Sequence, residues 1–331
     1  MTETFRAMVI DAVEGKPKAG LRDLTLADLP DNEVLVEISH STLNYKDGLA
    51  ISGKGRIARR MPMIGGIDLA GTVIDSRSPD WAPGDRVIVN GWGLSETEQG
   101  GYTRFQRLKP DWLIPLPSAF SPLQAMAIGT AGYTAALCVD ALERWGRIAP
   151  GAGEVLVTGA AGGVGSVAIS LLSRAGYSVT AATGRPETHD YLAGLGATGF
   201  VAREELAAKA GPLQKERWIG GVDTVGSTTL ANALAQTVYG GAVAACGLAG
   251  GPDLPATVLP HILRSVALIG VDSVMAPRER RLAAWARLAR DLDPAHLEAI
   301  TRVAPMSDLP QLAEDIVAGR IRGRVVIDVT G

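Results

Sequence analysis

Cysteine and histidine are scarce in this sequence, and neither residue is clustered. The 331 residues include two cysteines and four histidines. The histidines are scattered along the chain, and none has a Cys or His partner at the spacing of zinc ligands. Cys138 and Cys246 each lie among small apolar residues, where free buried thiols are common. This scarcity excludes a disulfide framework, and we expect a protein without a metal site.

The chain also has no large net charge of either sign. The formal net charge is -3 and charged residues make up 20% of the chain, so no basic field points to nucleic acid. The first sixteen residues, MTETFRAMVIDAVEGK, contain no apolar core of a secretory or transit segment. Three prolines interrupt the longest uncharged stretch, Trp112–Val139, which we interpret as a linker and a buried helix. We expect a cytoplasmic protein with neither a nucleic-acid nor a membrane partner.

Apolar residues and glycine, by contrast, are abundant. Hydrophobic residues make up 47% of the chain and glycines number 40, which is typical of a globular α/β protein with many tight turns. The length suits about two domains. Strand-like runs at Val34–Ile38, Ala70–Ile74 and Arg86–Asn90 predict a β-rich first domain. The proline-rich segment Pro110–Pro122 marks the candidate passage between domains, and a helix is predicted over Leu123–Leu142.

From Glu154 onward, strand and helix patterns alternate. Strands near residues 155, 178, 199, 221, 241 and 266 predict a parallel, doubly wound sheet with crossover helices. The run Arg278–Arg290 predicts an amphipathic helix whose arginines face solvent. The tail, a helix over Asp308–Gly319 and a strand over Gly323–Val329, cannot extend the parallel sheet without another crossover. We therefore expect the tail to return to the first domain.

The segment Glu154–Gly165, EVLVTGAAGGVG, reads as a strand, a glycine-rich turn and the start of a helix. In this context Gly162 lets the backbone approach a pyrophosphate, and Gly165 lets the helix pack closely on the strand. Ala160 replaces the first glycine of the usual G-x-G-x-x-G fingerprint, although alanine tolerates a left-handed turn poorly. The segment therefore predicts a dinucleotide site of variant form, the alternative being an ordinary glycine-rich turn.

The end of the second strand of this sheet indicates which dinucleotide binds. An acid there would hold the ribose 2′-hydroxyl of NAD, but Ser178–Ala182 is followed by Thr183, Gly184 and Arg185. A guanidinium suits a 2′-phosphate, so we predict NADPH, with a solvated surface arginine as the alternative. Ligands of such sheets bind at the carboxyl ends of the strands. Asp223–Gly226, Cys246–Gly250 and Asp272–Ser273 are therefore expected to border the same crevice.

The chain also resembles a known family along its whole length. With a β-rich front domain and a returning tail, it is similar to the zinc-free branch of the medium-chain dehydrogenase/reductase superfamily, and within it to the bacterial NADPH-dependent acrylyl-CoA reductases. Zinc-binding relatives would need Cys or His where this chain has Tyr45 or Lys46 and Ile67. The motifs that carry the resemblance are Ala160-x-Gly162-x-x-Gly165, Asn44–Asp47, Pro62–Gly71, Gly91–Gly93, Gly129–Thr134 and Ala245–Gly251.

The resemblance implies an α/β fold in which a Rossmann doubly wound parallel sheet is joined to a GroES-like β-rich domain. The implied GroES-like catalytic and substrate domain comprises residues 1–124 and 292–331, and the Rossmann NADPH-binding domain comprises residues 125–291. The resemblance also implies a homodimer. The apolar strand Val266–Gly270 is the predicted contact, because an exposed strand edge of this kind would otherwise pair without control.

The resemblance further implies which residues contact the cofactor. Arg203, Leu248 and Ile262 rest on the resemblance alone, whereas the glycine turn, Arg185 and the strand ends are also reached from the residues themselves. The implied contacts are Tyr45, Ala161, Gly162, Gly163, Val164, Thr183, Gly184, Arg185, Arg203, Leu248, Ile262 and Ser273.

The implied reaction is hydride transfer from NADPH to the β-carbon of acrylyl-CoA, followed by protonation at the α-carbon to give propanoyl-CoA. Asn44 and Tyr45 are the catalytic candidates, because an amide or a hydroxyl can donate to an enolate oxygen. Tyr45 could instead only pack on the nicotinamide. One alternative function is an NADPH-dependent quinone or small-enone reductase, and another is a non-catalytic NADPH-binding protein, structural or RNA-associated.

A short basic loop follows Asn44 and Tyr45. Its four cations lie within seven residues, in a protein whose net charge is negative: Lys54, Arg56, Arg59 and Arg60. Together they could concentrate a polyanionic substrate, so we hypothesise that they bind the phosphates of coenzyme A. The alternative for each of them is a solvated surface charge. A quinone reductase needs no such site, so this loop distinguishes the two enzyme functions.

Overall fold

The computed structural model describes residues 4–146 and 148–330. Met1–Glu3, the start of the N-terminal stretch considered above, therefore lie outside the described residues. Up to residue 146 the chain is rich in strands, as predicted. The elements are β1 (Phe5–Val13), β2 (Lys16–Leu24), β3 (Val34–Leu43), α1 (Tyr45–Ile51), β4 (Met63–Ile64), β5 (Asp68–Ser76), β6 (Arg86–Asn90), β7 (Phe105–Leu108), β8 (Ile114–Pro115) and α2 (Pro122–Arg144).

The second part of the chain alternates strands with helices. Its elements are β9 (Glu154–Val157), α3 (Gly163–Arg174), β10 (Ser178–Thr183), α4 (His189–Gly194), β11 (Gly199–Ala202), α5 (Arg203–Ala207), β12 (Trp218–Asp223), α6 (Ser227–Ala235), β13 (Thr237–Ala245), α7 (Leu259–Arg264) and β14 (Ala267–Gly270). The remaining elements are α8 (Arg278–Asp291), α9 (Pro294–Ile300), β15 (Thr301–Pro305), α10 (Leu309–Val317) and β16 (Arg324–Asp328).

Strands β9 to β14 form a parallel sheet in the order β11-β10-β9-β12-β13-β14. All six strands predicted from residue 154 onward are present, so the doubly wound prediction is confirmed. Buried side chains such as Leu156, Val243 and Leu234 pack between this sheet and its helices. The glycine-turn strand β9 lies centrally, and β14 lies at an edge of the sheet.

The front part of the chain is built on a sheet in the order β15-β16-β3-β5-β6-β8, to which β7 adds by pairing with β3. Its alternate side chains, among them Val36, Ile38 and Leu69, are fully buried. Strand β16 pairs antiparallel with β3, from Val325 opposite Leu43 to Asp328 opposite His40. The tail therefore returns to the first domain, as predicted from the sequence.

Helix α2 is interrupted at Gly129, whose φ of 51° and ψ of -163° are not helical. A Cβ at this position would lie 2.7 Å from a guanidinium nitrogen of Arg324 and 2.7 Å from Cγ2 of Thr42, so only glycine fits. Among the described residues α2 is the one helix long and apolar enough to cross a membrane, but 89% of its apolar window is buried. This agrees with the interpretation of a buried helix.

The prediction that the arginines of α8 face solvent is wrong at Arg281. This side chain is 2% exposed, and its guanidinium donates to the carbonyl oxygens of Asn90 at 2.5 Å, Val274 at 2.6 Å and Ala276 at 2.8 Å. It also lies over the ring of Trp92, 4.1 Å from the centroid. One carbonyl from β6 and two from the segment just before α8 therefore hold a charge that the helical pattern assigned to the surface.

The chain divides into two compact units. The first unit comprises the described residues of Met1–Thr130, Ser273–Ala283 and Ile300–Gly331, and the second comprises those of Ala131–Asp272 and Ala284–Ala299. The boundaries at Thr130 and at residue 273 differ from the sequence-based limits at 124 and 292.

Candidate active site

The glycine-rich turn of the second unit leads from β9 into α3. Gly159 takes its left-handed position, with a φ of 58°, so the alanine at position 160 does not strain the turn. A Cβ on Gly165 would lie 2.5 Å from the carbonyl oxygen of Gly159, which means that α3 packs directly on the turn. The first turn of the helix, Gly163–Gly165, has N–H groups without intrahelical partners. This glycine cradle fits a pyrophosphate.

At the carboxyl end of β10, Thr183, Gly184 and Arg185 form a compact turn. The Arg185 backbone N–H donates to Thr183 Oγ1 at 3.1 Å, and the Arg185 side chain is half-buried. Arg203, the first residue after β11, extends its guanidinium over Gly184, where an added Cβ would lie 2.7 Å from Nε. The Thr183 hydroxyl is buried and lies 3.2 Å from Thr188 Oγ1, so the donors at this edge of the sheet are the two cations. A 2′-phosphate fits this set of donors.

The carboxyl ends of β12 and β13 complete this edge of the sheet. Asp223 is fully buried; it accepts hydrogen bonds from Thr158 Oγ1 at 2.7 Å and from the Gly226 N–H at 2.7 Å. Burial raises the pKa of Asp223, and these two hydrogen bonds oppose the shift. Cys246 donates to the Asp223 carbonyl at 3.4 Å and borders a cavity of about 540 Å³ that also contacts Leu248. Both cysteines are free thiols, as the sequence predicted.

Besides Arg203, two residues of this unit are implied as cofactor contacts by the resemblance alone. Both of them, Leu248 and Ile262, are exposed. Leu248 follows β13, and Ile262 lies on α7 with 68% of its surface accessible. Tyr45 and Ser273 belong to the first unit. Ser273 begins a segment there, and its carbonyl oxygen accepts a hydrogen bond from Arg281 at 3.4 Å.

In the first unit, Asn44 caps the N-terminus of α1 and Tyr45 is the first residue of this helix. Tyr45 is 37% exposed, so part of this residue is accessible to a ligand. Asn44, by contrast, is buried. Its amide nitrogen Nδ2 donates to Asp68 Oδ2 at 2.8 Å and to Asp47 Oδ2 at 3.1 Å. Both amide hydrogens of Asn44 are therefore engaged within the protein.

Asp68 is the centre of a buried polar network. Each of its carboxylate oxygens accepts two hydrogen bonds: Oδ2 from Asn44 Nδ2 and from the Thr130 N–H at 2.9 Å, and Oδ1 from Asn90 Nδ2 at 2.6 Å and Thr130 Oγ1 at 2.5 Å. Arg324 joins the network from β16. Its Nη2 donates to Asn44 Oδ1 at 3.2 Å and to Thr42 Oγ1 at 2.9 Å.

Asp47 is the second carboxylate to which the Asn44 amide donates. It is fully buried and accepts hydrogen bonds from the backbone N–H groups of Asn44 at 2.9 Å and Ile67 at 3.0 Å. Burial, together with the negative charge of Asp68, raises the pKa of Asp47 to about 7. Burial also raises the pKa of Tyr102, whose hydroxyl donates to the Thr42 carbonyl at 3.1 Å. This network surrounds the backbone that carries Tyr45. Asp47 and Asp68 lie within the motifs Asn44–Asp47 and Pro62–Gly71, but the sequence analysis assigned no role to either acid.

The basic loop that follows α1 is less uniform than its sequence suggests. Lys54 forms an ion pair with Glu314 of α10. Arg56, Arg59 and Arg60 are exposed, and within the described part of the chain their guanidinium groups have no ion-pair or hydrogen-bond partner. Three of the four predicted phosphate ligands are thus available to a substrate.

Within the described residues, no three or more His, Cys, Asp or Glu side chains form a group that could hold a metal ion. The expectation of activity without a metal remains a prediction. It can be checked by metal analysis of the purified protein and by assay in the presence of a chelator.

Comparison with known proteins identifies the family. Two family models match the chain: "Alcohol dehydrogenase GroES-like domain" over residues 30–118 and "Zinc-binding dehydrogenase" over residues 163–290. The chain is 53% identical to acrylyl-CoA reductase AcuI of Ruegeria pomeroyi, over 98% of this chain and 99% of that protein. This chain belongs to the medium-chain dehydrogenase/reductase superfamily, in the quinone oxidoreductase-like branch that contains the acrylyl-CoA reductases.

Solved structures of similar proteins have the same fold. The crystal structure of Escherichia coli K-12 YhdH with bound NADPH is 48% identical, with a TM-score of 0.96 over 98% of this chain and 100% of that chain. The crystal structure of Bacillus subtilis YhfP with NAD bound is 42% identical, with a TM-score of 0.95 over 99% and 100%. The prediction of a Rossmann sheet joined to a GroES-like domain is confirmed.

Proposed function

We propose that this protein is an NADPH-dependent acrylyl-CoA reductase. It reduces the 2,3 double bond of acrylyl-CoA to give propanoyl-CoA, with hydride added at the β-carbon and a proton at the α-carbon. The observation that carries the proposal is full-length identity of 53% to an acrylyl-CoA reductase, together with a glycine cradle and two cations at the carboxyl edge of the sheet.

NADPH supplies the hydride when bound, and the protein supplies its binding and orientation. The N–H groups of Gly163–Gly165 would hold the pyrophosphate, and Arg185 and Arg203 would hold the ribose 2′-phosphate. Arginine suits this role because its guanidinium makes charge-assisted, bidentate hydrogen bonds to phosphate. The two residues directly after β10 are Gly184 and Arg185, so no acid lies at the position where NAD-binding proteins hold the ribose 2′-hydroxyl. The donor set therefore favours NADPH over NADH.

Tyr45 is the group proposed to act on the substrate. Its hydroxyl can donate a hydrogen bond to the thioester oxygen, on which negative charge develops as the β-carbon receives hydride. Asn44 is proposed in a supporting role, because both of its amide hydrogens are bound to Asp47 and Asp68. It holds the start of α1 rather than donating to the substrate.

Coenzyme A carries several phosphate charges, and the exposed arginines of the basic loop are proposed to bind them. Arg56, Arg59 and Arg60 carry this proposal, whereas Lys54 is the weakest of the four candidates because Glu314 already neutralises it. Each exposed contact is worth less than about 1 kcal/mol. The three together raise the local concentration of an anionic substrate, and this effect weakens as salt screens it.

The test is an absorbance assay at the NADPH band with three acceptors: acrylyl-CoA, an uncharged enone and a quinone. We expect acrylyl-CoA to be the preferred acceptor by kcat/KM. Replacing Arg56, Arg59 and Arg60 with Gln should raise KM for acrylyl-CoA several-fold at low salt and leave KM for the uncharged enone unchanged. Lys54→Gln is the matched control. A preference for quinone, or an equal response of both substrates, would favour the quinone reductase function instead.

A further inference from the structure

We propose that Asp68 is a positioning residue for the reduction: it acts through Asn44 to fix the start of α1, and hence Tyr45, and its effect is coupled to the protonation of Asp47. The inference rests on the proposed function of Tyr45. Asp68 itself is fully buried and is proposed to act only through the residues it holds, so it is not a catalytic residue.

The first step of the argument is the geometry around Asn44. Its side-chain amide is a bridge between two carboxylates, since Nδ2 donates to Asp68 at 2.8 Å and to Asp47 at 3.1 Å. Its Oδ1 accepts from Arg324. All three bonds are buried, and buried hydrogen bonds of this kind fix a single orientation because breaking one leaves a polar group unsatisfied. Tyr45 is covalently joined to the residue held in this way.

The second step concerns what Asp68 holds in addition to Asn44. Its four hydrogen bonds come from β6 through Asn90, from the segment before α1 through Asn44, and from α2 through Thr130. Thr130 directly follows the non-helical Gly129, where a Cβ would lie 3.0 Å from Asp68 Oδ2. One carboxylate therefore sets the relative position of three segments of the first unit. A side chain at position 68 that only filled the core would need no charge.

The third step concerns the charges. Asp47 and Asp68 are two acids, and Arg324 is the one cation that the network contains among the described residues. The groups that face Asp47 are Asp68 from β5, Tyr102, and Arg324 from β16. Helix α10, packed on α1 at Gly48, presents aliphatic side chains there, with Ile316 the nearest. The cluster therefore carries a net negative charge when both acids are ionised, and becomes neutral when one proton binds.

The donors around Asp47 match its ionised form. Two N–H groups of Asn44 and the N–H of Ile67 point at its oxygens, and a carboxylate accepts all three, whereas a protonated carboxyl adds a donor to a site made of donors. Burial and Asp68 favour the neutral form and so hold the pKa of Asp47 at about 7. We expect the start of α1 to be held firmly above this pH and less firmly below it.

The experiment compares Asp68→Asn with Asp75→Asn. Both acids lie on β5, but Asp75 is outside the network and is mostly exposed beside Arg107, so it is the matched control. In Asp68→Asn an amide NH2 replaces one carboxylate oxygen and faces two donors. Because small displacements of a reacting group cost much of the rate, we expect kcat to fall on the order of tenfold or more, with KM for NADPH nearly unchanged.

The readout that separates positioning from simple destabilisation is the pH profile of kcat. In the wild-type protein kcat should fall as the pH is lowered through about 7. In Asp68→Asn the inflection should move to lower pH, because removal of the negative neighbour makes Asp47 easier to ionise. A structural defect alone would lower kcat at every pH without moving the inflection. NADPH binding, followed by fluorescence, reports independently that the variant is folded.

If Asp68→Asn does not fold, Thr130→Val removes one hydrogen bond to Asp68 at nearly constant shape and should lower kcat several-fold with KM for NADPH unchanged. The proposal is overturned if the folded variant keeps the kcat and the inflection of the wild-type protein, or if its losses match those of Asp75→Asn. Failure of the proposed function has a different signature, because the wild-type protein itself would then not reduce acrylyl-CoA. The variants are in that case compared on the uncharged enone.

Discussion

At the scale of single residues, we predict that Arg185 and Arg203 determine the choice of cofactor. A charge-assisted hydrogen bond contributes about 1.5 to 3 kcal/mol, so Arg185→Ala should raise KM for NADPH roughly tenfold or more while KM for NADH stays nearly constant. Arg174→Ala, at the exposed far end of α3, is the matched control. An equal rise in KM for both cofactors would show that Arg185 does not bind the 2′-phosphate.

Tyr45 gives a second prediction at this scale. If its hydroxyl stabilises the enolate, the interaction exists mainly in the transition state, and Tyr45→Phe should lower kcat more than it raises KM. Tyr239→Phe removes the hydroxyl of another exposed tyrosine, on β13, and should leave both constants unchanged. Steady-state kinetics with acrylyl-CoA decide the matter, and an unchanged kcat in Tyr45→Phe would leave Tyr45 as a packing residue.

Local sequence patterns indicate candidate residues at predicted strand ends, but they miss residues whose environment depends on partners brought together by folding. The glycine turn and Arg185 follow strands that can be recognised from periodicity. Arg281 was assigned to the surface because its partners, the carbonyls of residues 90, 274 and 276, become its neighbours only in the folded chain. Asp68 lies within the motif Pro62–Gly71 and just before the predicted strand Ala70–Ile74, but no role was assigned to it. Nothing in the sequence near it indicates four hydrogen bonds from three segments.

Strand β14 is the element on which the quaternary structure should depend. It lies at the edge of the parallel sheet, with Leu268 partly exposed and with Ile262 and Leu263 of α7 exposed beside it in sequence. An apolar edge of this kind favours pairing with a second copy, so we predict a homodimer through β14. A charge on the edge should block the pairing.

Light scattering at micromolar concentration tests this prediction. The wild-type protein should have twice the mass of its chain, and Leu268→Lys should be monomeric. Val303→Lys places the same charge on β15, which lies at the edge of the other large sheet, and should remain a dimer. A monomeric wild-type protein, or a dimer that tolerates Leu268→Lys, would refute this use of β14.

The six strands of the parallel sheet and helix α2 were predictable from the sequence, whereas β1, β2, α9 and β15 were not predicted, nor was the irregularity within α2. The predicted helix over Leu123–Leu142 corresponds to α2, but the break at Gly129 inside it could not be read from the sequence. Glycine within an apolar helical run is usually tolerated at small cost. The break reflects the close approach of Thr42 and Arg324, which come from β3 and β16, and such contacts are not encoded in local periodicity.

At the scale of the whole molecule, the buried acids make stability depend on pH in an unusual direction. The pKa of Asp47 is raised from 3.8 to about 7 in the folded state, so the folded protein binds a proton that the unfolded chain releases. Protonation of Asp47 therefore contributes to the free energy of unfolding. This contribution is fully present below about pH 4 and is lost as the pH rises to about 7, at ~1.4 kcal/mol per pKa unit.

We therefore predict that the melting temperature falls as the pH rises from 5 to 8, and that Asp47→Asn flattens this dependence while lowering stability at pH 5. Scanning calorimetry at four pH values measures both. Carboxyls whose pKa is lowered on folding, such as Asp315 and Asp328, act in the opposite direction and at lower pH, so the two effects can be separated. A wild-type melting temperature that rises from pH 5 to 8 would contradict the role of Asp47.

The pairing of β16 with β3 has a consequence for the order in which the molecule can assemble during synthesis on the ribosome. Asp47 and Asp68 are translated early, but Arg324, which shares their buried site, emerges more than 250 residues after Asp68. The parallel sheet of the second unit, by contrast, is continuous in sequence from β9 to β14. The nascent chain can therefore complete its nucleotide-binding half first, while the front half keeps two uncompensated acids until β16 arrives. A nascent chain arrested before β16 should resist protease in its second unit and be cut in its first.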